Sequence, residues 1–406
     1  MIKRVYISTE RADLFDVNMM IAMSIDVKGN IDDEQVVRAF HRALDAQEIF
    51  TMHIVIDEFG NAYYEPYDSQ NNTLTFLDKD ISEIIIEQEK IRFRIEEGEF
   101  LRVYARRTSK GLTFIFLMHH LAGDGKSLCY FIESFMTAMA GLELKYMKMK
   151  RLDVDDLPPK SKMPFFYKKY VKHFNRMWKK EKRIFTFLDM DESFNQFWSK
   201  HKTVIETRII DEAELLSMKS MCHDNHIGLT SLLIADYLKN TVGKQDIGLA
   251  VDGRLDGNRC MGNQATGISI KYKYQRKISL LDNAMKIDKA IKNRLSDLRF
   301  KYFILHFMAA FDSSLINAVN LQYSGAYTSK TSKKLASILG YGKNTKDLSV
   351  SNLMMLDIPT KYGELYIDNV YFVPPVISYG KNVIGIVTVN NKMIISRHYY
   401  ADNNTV

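Results

Sequence analysis

Residues 113–118 restrict the fold of this chain more than any other stretch. They read TFIFLM, six consecutive apolar or β-favouring residues, which is typical of a strand buried on both faces. Two histidines and the turn-forming sequence Leu-Ala-Gly-Asp-Gly follow at once. Beyond Gly125 the apolar spacing becomes helical, through Leu128, Phe131, Ile132, Phe135, Met136 and Met139. The pattern predicts a strand-to-helix junction with paired imidazoles at its turn.

His119 and His120 cannot do the same work at this junction. Adjacent side chains at the end of a strand point to opposite sides, so one imidazole faces a cleft and the other the interior. Asp124 follows a turn whose glycines permit close backbone approach, and its carboxylate can fold back to lock the loop. An imidazole held in this way suits proton abstraction, with a merely structural loop as the alternative.

Length and composition set the class of protein. A chain of 406 residues, 46% hydrophobic and 26% charged, is typical of a soluble globular protein with two domains or lobes. No segment approaches 18 uninterrupted apolar residues, and the amino terminus predicts no secretory signal. Three cysteines without a CxxC pair favour a reducing, cytoplasmic setting. A net charge of +7 is too small to imply nucleic-acid binding.

The order of patterns along the chain predicts strands and helices mixed in both halves. Residues 1–150 form an N-terminal lobe that includes a hairpin turning at Gly60-Asn61. Residues 151–185 form a basic connection with one amphipathic helix. Residues 186–406 form a C-terminal lobe with two long helical patterns in 280–322 and a strand-rich end from Leu348 to Tyr400.

Three other motifs are weak candidates for chemistry. The sequence GDGKS lacks the earlier glycine of a phosphate-binding loop, since His120 occupies that position. Cys222, His223 and His226 have helical spacing but no second ligand pair nearby, which favours packing or surface roles over a metal site. Cys260 has no basic neighbours that mark an activated thiolate. We therefore predict no metal site.

The spacing HHxxxDG, filled by His119, His120, Asp124 and Gly125, resembles the hallmark of the chloramphenicol-acetyltransferase-like acyltransferases. That superfamily includes the condensation domains of nonribosomal peptide synthesis and the alcohol acyltransferases. The stretches VDGRLDGNRCMGNQATGISI, LSVSNLMML and GIVTVNNKMIISRHYYAD resemble further segments of its second lobe. The DFGWG segment of the plant enzymes is absent, so the resemblance is nearer the condensation and alcohol acetyltransferase branches.

The resemblance implies an α/β (α+β) fold of two lobes in a V-shaped pseudo-dimer, with an active-site tunnel between them. It implies transfer of an acyl group from a pantetheine thioester, on coenzyme A or an acyl carrier protein, to a small alcohol or amine. His120 matches the catalytic base. His119, Asp124, Gly125 and Arg254 match supporting positions, with Arg254 as the partner of Asp124. Ser351, Asn352 or amides near Gly125 would stabilise the oxyanion.

No permanently bound cofactor is expected, and the chain is expected to act as a monomer. The alternative function is a catalytically silent condensation-like module that docks a carrier protein or partner enzyme. The stretch from Lys160 to Arg183 holds ten Lys or Arg and one Glu. It is open to three interpretations: a solvated linker face, a docking site for an acidic partner, or a peripheral membrane contact.

Overall fold

The computed structural model describes residues 4–342 and 345–401, and these contain fifteen strands and twelve α-helices. The strands are β1 (Val5–Tyr6), β2 (Met20–Lys28), β3 (Met52–Ile56), β4 (Ala62–Pro66), β5 (Thr73–Phe76), β6 (Leu101–Thr108), β7 (Gly111–His119), β8 (Thr203–Ile210), β9 (Gln245–Asp252), β10 (Ala265–Tyr272), β11 (Leu348–Met355), β12 (Lys361–Tyr362), β13 (Leu365–Val373), β14 (Asn382–Val389) and β15 (Lys392–Tyr400). The helices are α1 (Asp33–Asp45), α2 (Ile81–Gln88), α3 (Gly125–Met139), α4 (Phe165–Trp178), α5 (Phe187–Trp198), α6 (Glu212–Asp224), α7 (Leu229–Leu238), α8 (Leu280–Ser296), α9 (Leu298–Lys301), α10 (Phe303–Ala309), α11 (Ser313–Ser324) and α12 (Lys330–Leu339).

The first six-stranded sheet has the order β12-β13-β2-β7-β6-β5. Strand β7 lies between β2 and β6, antiparallel to both, and every residue from Leu112 to His119 is buried. The predicted strand buried on both faces is therefore confirmed. Strands β3 and β4 form the predicted antiparallel hairpin around Gly60-Asn61, and β1 pairs with β4 in a separate three-stranded sheet.

The second six-stranded sheet has the order β10-β9-β11-β14-β15-β8. Strand β11 runs parallel to β9 and β14, whereas the remaining neighbours are antiparallel. Helices α6, α7 and α8 contribute Leu215, Leu232 and Ile287 to the core of this sheet. The larger core covers the first sheet and also takes in residues of α3, α4, α11 and α12.

Two strands from the C-terminal half of the chain join the first sheet. Strands β12 and β13, although they come late in the sequence, join the first sheet, where β13 pairs with β2. Ile367 and Val370 of β13 are fully buried in the first core. The sequence analysis placed residues 186–406 together in one lobe, but residues 361–373 belong structurally with the first sheet because their apolar face is buried there.

The segment 280–322 is more broken than the two long helices predicted. It forms α8, α9, α10 and α11. Asp297 begins α9 and Asp312 begins α11, since each accepts a backbone hydrogen bond in the first turn of its helix. Among the described residues, no single helix is long and apolar enough to cross a membrane. The bent pair Phe303–Ala309 and Ser313–Ser324 meets the criteria of length and composition only when taken together, with a bend of 104°.

Candidate active site

His119 faces the interior of the first sheet. Its ring is 4% exposed, packs edge-to-face on Phe93 with centroids 5.8 Å apart, and accepts a hydrogen bond at Nδ1 from the backbone N–H of Leu121 at 3.2 Å. Burial, with smaller contributions from His120 and nearby arginines, lowers the pKa of His119 to about 3. This imidazole is therefore neutral at pH 7 and supports the turn.

His120 ends the strand on the other side. Its backbone N–H donates to the carbonyl of Met19 at 2.8 Å, and its carbonyl accepts from Gly123 at 3.2 Å. The residue keeps partial solvent exposure, while Nδ1 is buried and receives no hydrogen bond from the described part of the chain. Burial lowers the pKa of His120, an effect that the Asp124 carboxylate and the residue's own carbonyl partly offset. A neutral ring results.

Asp124 caps α3 and holds the turn from three directions. Its Oδ1 accepts from the backbone N–H of Ser127 at 2.9 Å, and Oδ2 accepts from the backbone N–H of Gln264 at 3.0 Å. Arg254 donates to both oxygens, from Nη1 at 2.9 Å and from Nη2 at 3.0 Å. The two side chains are 7% and 3% exposed, so this bidentate pair is buried and geometrically specific.

The segment 253–264 clamps the turn from the second half of the chain. Gly123 and Gly262 form a parallel bridge, and the Ser127 hydroxyl donates to the carbonyl of Gly262 at 2.9 Å. Gly262 has a φ of +123°, and a Cβ there would lie 2.2 Å from the carbonyl oxygen of Lys150. Only glycine fits this position, which lets two loops approach closely beneath the histidines.

Gly125 lets the start of α3 approach the second half of the chain. A Cβ at this position would lie 2.9 Å from Cδ2 of Leu353 in β11 and 3.2 Å from the ring of Phe372 in β13. The first turn of α3 is thus packed directly against strands that arrive from the C-terminal half. The histidine turn, the helix and both sheets meet at this point.

Searches among protein-family models and among curated protein sequences find no match. Solved structures do match along nearly the whole chain. The first condensation domain of the CDA synthetase superposes with a TM-score of 0.64 and 11% identity, covering 98% of this chain and 90% of its own. The condensation domain of the Monacolin K polyketide synthase MokA gives 0.63 and 12%, covering 99% and 92%.

The protein has the condensation-domain fold. Polyketide synthase associated protein 5 from Mycobacterium tuberculosis is similar too, with a TM-score of 0.60, 11% identity and coverage of 98% of this chain and 94% of its own. The resemblance inferred from HHxxxDG is confirmed at the level of the fold, including the two-lobe architecture. The His120 side chain therefore lies on a fold that these solved structures share.

The two residues predicted to stabilise an oxyanion occupy different environments in the condensation-domain fold. The Asn352 amide is engaged at both ends, since Nδ2 donates to Thr230 Oγ1 at 2.9 Å and Oδ1 accepts from the backbone N–H of Met354 at 2.7 Å. Both contacts lie on the side of the second lobe. Ser351 is half-buried in β11, two residues before the Leu353 that faces Gly125.

Several residues that support the turn were missed by the sequence analysis. The Tyr64 hydroxyl bonds both the carbonyl of Leu121 and the carboxylate of Glu10, each at 2.9 Å. Arg151 reaches the same Glu10 oxygen at 3.3 Å. Asp124 before a helical pattern is a recognisable helix-cap signal, but it predicts only the bond to the backbone N–H of residue 127. The Ser127 hydroxyl, Tyr64 and Glu10 reach their partners only through tertiary packing.

The metal candidates do not assemble. In residues 4–342 and 345–401, no three His, Cys, Asp or Glu side chains come together as a metal site. Cys222 is buried in α6 while the neighbouring His223 is exposed. Cys129, Cys222 and Cys260 are all free and buried, and burial raises the pKa of each thiol, which is the opposite of activation.

Proposed function

We propose that the protein transfers an acyl group from a pantetheine thioester to an alcohol or amine, with His120 as the general base. The observation that carries this proposal is the geometry of His120: a partly accessible imidazole fixed at the end of β7, where burial lowers its pKa. A base must be unprotonated, within reach of its substrate, and fixed in position. Burial of the ring favours the unprotonated form, the remaining solvent exposure leaves it accessible, and the Arg254–Asp124 clamp fixes the loop that follows it.

In the proposed reaction, the neutral ring of His120 takes a proton from the acceptor oxygen or nitrogen as that atom attacks the thioester carbonyl carbon. A tetrahedral oxyanion forms. It collapses as the carbon–sulfur bond breaks, and the imidazolium returns its proton to the departing thiolate. The products are an ester or amide and a free thiol, and no acyl-enzyme is required.

Stabilisation of the oxyanion is assigned to donors at the start of α3 or to Ser351. The N-terminal turn of a helix presents free amides and the positive end of its dipole. Asn352 is the weaker candidate, because its amide already bonds Thr230 and the backbone of Met354. Arg254 and Asp124 have a positioning role, because their side chains hydrogen-bond each other and hold the turn.

The test is acyl transfer by the purified chain, measured over acyl-CoA donors of increasing length and over carrier-bound donors. His120→Ala should lower the rate by roughly 10²–10⁴-fold, as expected on removal of a general base. His223→Ala, which changes an exposed histidine in α6, is the matched control and should leave the rate unchanged. An undiminished rate in His120→Ala would refute the mechanism.

The same screen separates the catalytic function from the silent binding module. Transfer that depends on His120 supports the enzyme. Binding of a carrier protein with no transfer from any thioester in the screen would instead support a module that docks a partner. The donor class is then read from which thioester, coenzyme A or carrier-bound, is consumed.

A further inference from the structure

The outer surface of α4 carries cations that lack acidic partners. Six basic side chains are exposed on or directly after this helix: Lys168, Lys169, Lys172, Arg176, Lys179 and Lys180. In the described part of the chain none of the six forms an ion pair, whereas the next two cations do, Lys182 with Asp312 and Arg183 with Asp189. We call these six residues the α4 cationic face.

Helix α12 adds two exposed lysines beside α4. It packs beside α4, and the Nζ of its Lys334 lies 5.8 Å from the ring centroid of the α4 residue Phe174. Lys333 and Lys334 are both exposed. An unpaired surface charge is common, but eight on two packed helices form a field that attracts anions.

The N-terminal end of the same face is aromatic. Phe165 and Phe166, the first two residues of α4, are 71% and 73% exposed. Phe165 lies on the same side as Lys169, Lys172 and Arg176, at helical spacings of four, three and four, and the Lys169 ammonium lies 4.9 Å from its ring centroid. Scattered exposed apolar residues are ordinary, but an adjacent exposed pair beside unpaired cations is a combined apolar and cationic surface.

The opposite side of α4 fixes the helix in place. Val171, Phe174 and Trp178 are buried in the first core, and the Trp178 indole N–H donates to the hydroxyl of Ser314 at 2.8 Å. Tyr167 packs edge-to-face on Phe303, with centroids 4.7 Å apart. The 14-residue helix is about 20 Å long, and its outer face is held in a fixed orientation by these buried contacts.

We propose that the α4 cationic face, with Phe165 and Phe166, docks the protein on an anionic lipid surface. The lysines and arginine would lie over the headgroups, and the two phenylalanine rings would enter the boundary between headgroups and acyl chains. An acidic protein could also neutralise the cations; we favour lipid because two adjacent exposed phenylalanine rings beside cations match the apolar and charged layers of a membrane interface. The inference is independent of the acyl-transfer proposal, because it rests on a surface and not on the histidine turn.

The first experiment is sedimentation of the full chain with vesicles. Binding is expected to phosphatidylcholine vesicles that contain about 30% phosphatidylserine, and to weaken as salt is raised. It should be absent with pure phosphatidylcholine. Lys169→Glu combined with Lys172→Glu should weaken binding roughly tenfold or more. The control, Lys244→Glu combined with Lys277→Glu, makes the same charge change at two exposed lysines of the other lobe and should bind like the parent.

The second experiment tests the aromatic end. Phe165→Ala combined with Phe166→Ala should weaken binding, while Phe59→Ala, at another exposed phenylalanine, should not. Phe165→Trp supplies a reporter, whose emission should shift to the blue on anionic vesicles and be quenched by brominated lipid. The absence of vesicle binding, or binding that both paired variants leave intact, would overturn the proposal. Retention of an acidic carrier protein by the same lysines without vesicle binding would assign the face to protein docking instead.

Discussion

At the scale of the residue, the His120 ring is largely surrounded by protein, yet part of its surface remains accessible to solvent. Burial lowers its pKa below the ordinary value of 6.5, so the base form persists into mildly acidic solution. We expect kcat/KM for acyl transfer to fall as the solution becomes acidic, with its midpoint below pH 6.5. A pH–rate profile checks this, and a midpoint at or above 6.5 would contradict it.

The buried His119 ring should make the stability of the protein depend on pH. Its folded-state pKa of about 3 lies below the unfolded value of 6.5, so its contribution is complete above pH 6.5 and is lost as the pH falls toward 3. When the pH is lowered from 7 to 5, protonation of this histidine in the unfolded state alone should lower the free energy of unfolding by about 2 kcal/mol.

Urea unfolding at the two pH values measures this loss. His119→Asn removes the titrating ring and keeps an oxygen that can accept the Leu121 N–H. The variant should lose less stability between pH 7 and pH 5 than the parent, whatever its stability at pH 7. An equal loss in both proteins would show that His119 does not titrate as proposed.

At the scale of the element, the turn between β7 and α3 is held in part by the buried ion pair between Asp124 and Arg254. Arg254→Ala would leave the Asp124 carboxylate buried with only two backbone N–H donors. Loss of one partner from a buried pair costs about 3–5 kcal/mol, because the remaining charge stays uncompensated. Arg254→Lys keeps the charge but loses the bidentate geometry, so its cost should be intermediate.

Urea unfolding at pH 7 ranks these variants. Arg38→Ala, which breaks an exposed pair with Glu34 in α1, is the control and should change stability little. If Arg254→Ala were as stable as Arg38→Ala, the pair with Asp124 would not be holding the turn.

The same element shows what a sequence can predict about a site. The buried run of β7, the two histidines and the helical spacing after Gly125 are local patterns, so the strand, turn and helix follow from them. Arg254 lies 130 residues from Asp124 and was reached only through the family resemblance. Gln264 binds Asp124 through its backbone N–H, which no side-chain pattern reveals. Asn352 was proposed from the family resemblance, and its bond to Thr230 depends on packing that the sequence does not show.

At the scale of the whole molecule, contacts between the two halves of the chain decide the fold. Glu89 follows α2 of the first half and is fully buried, 3.2 Å from Nε2 of His398 in β15 and bonded to the Thr203 hydroxyl. Strand β13, from the C-terminal half of the chain, pairs with β2 of the first half. Local alternation predicts that 365–373 is a strand, but it does not tell which sheet the strand enters. The boundaries between lobes were therefore the least predictable part.

Because β13 comes from the C-terminal half of the chain, the stability of the first sheet should depend on that half. Ile367 of β13 is fully buried, and Ile367→Ala should cost about 2–5 kcal/mol through lost burial and the cavity left behind. Because β13 pairs with β2, and β2 with β7, hydrogen exchange should show reduced protection of amides in both strands. Ile209→Ala, at a 53% exposed site in β8 of the second sheet, is the control and should leave that protection intact. Unchanged protection of β2 in Ile367→Ala would mean that β13 does not stabilise the first sheet. The fold around the histidine turn would then not depend on this strand.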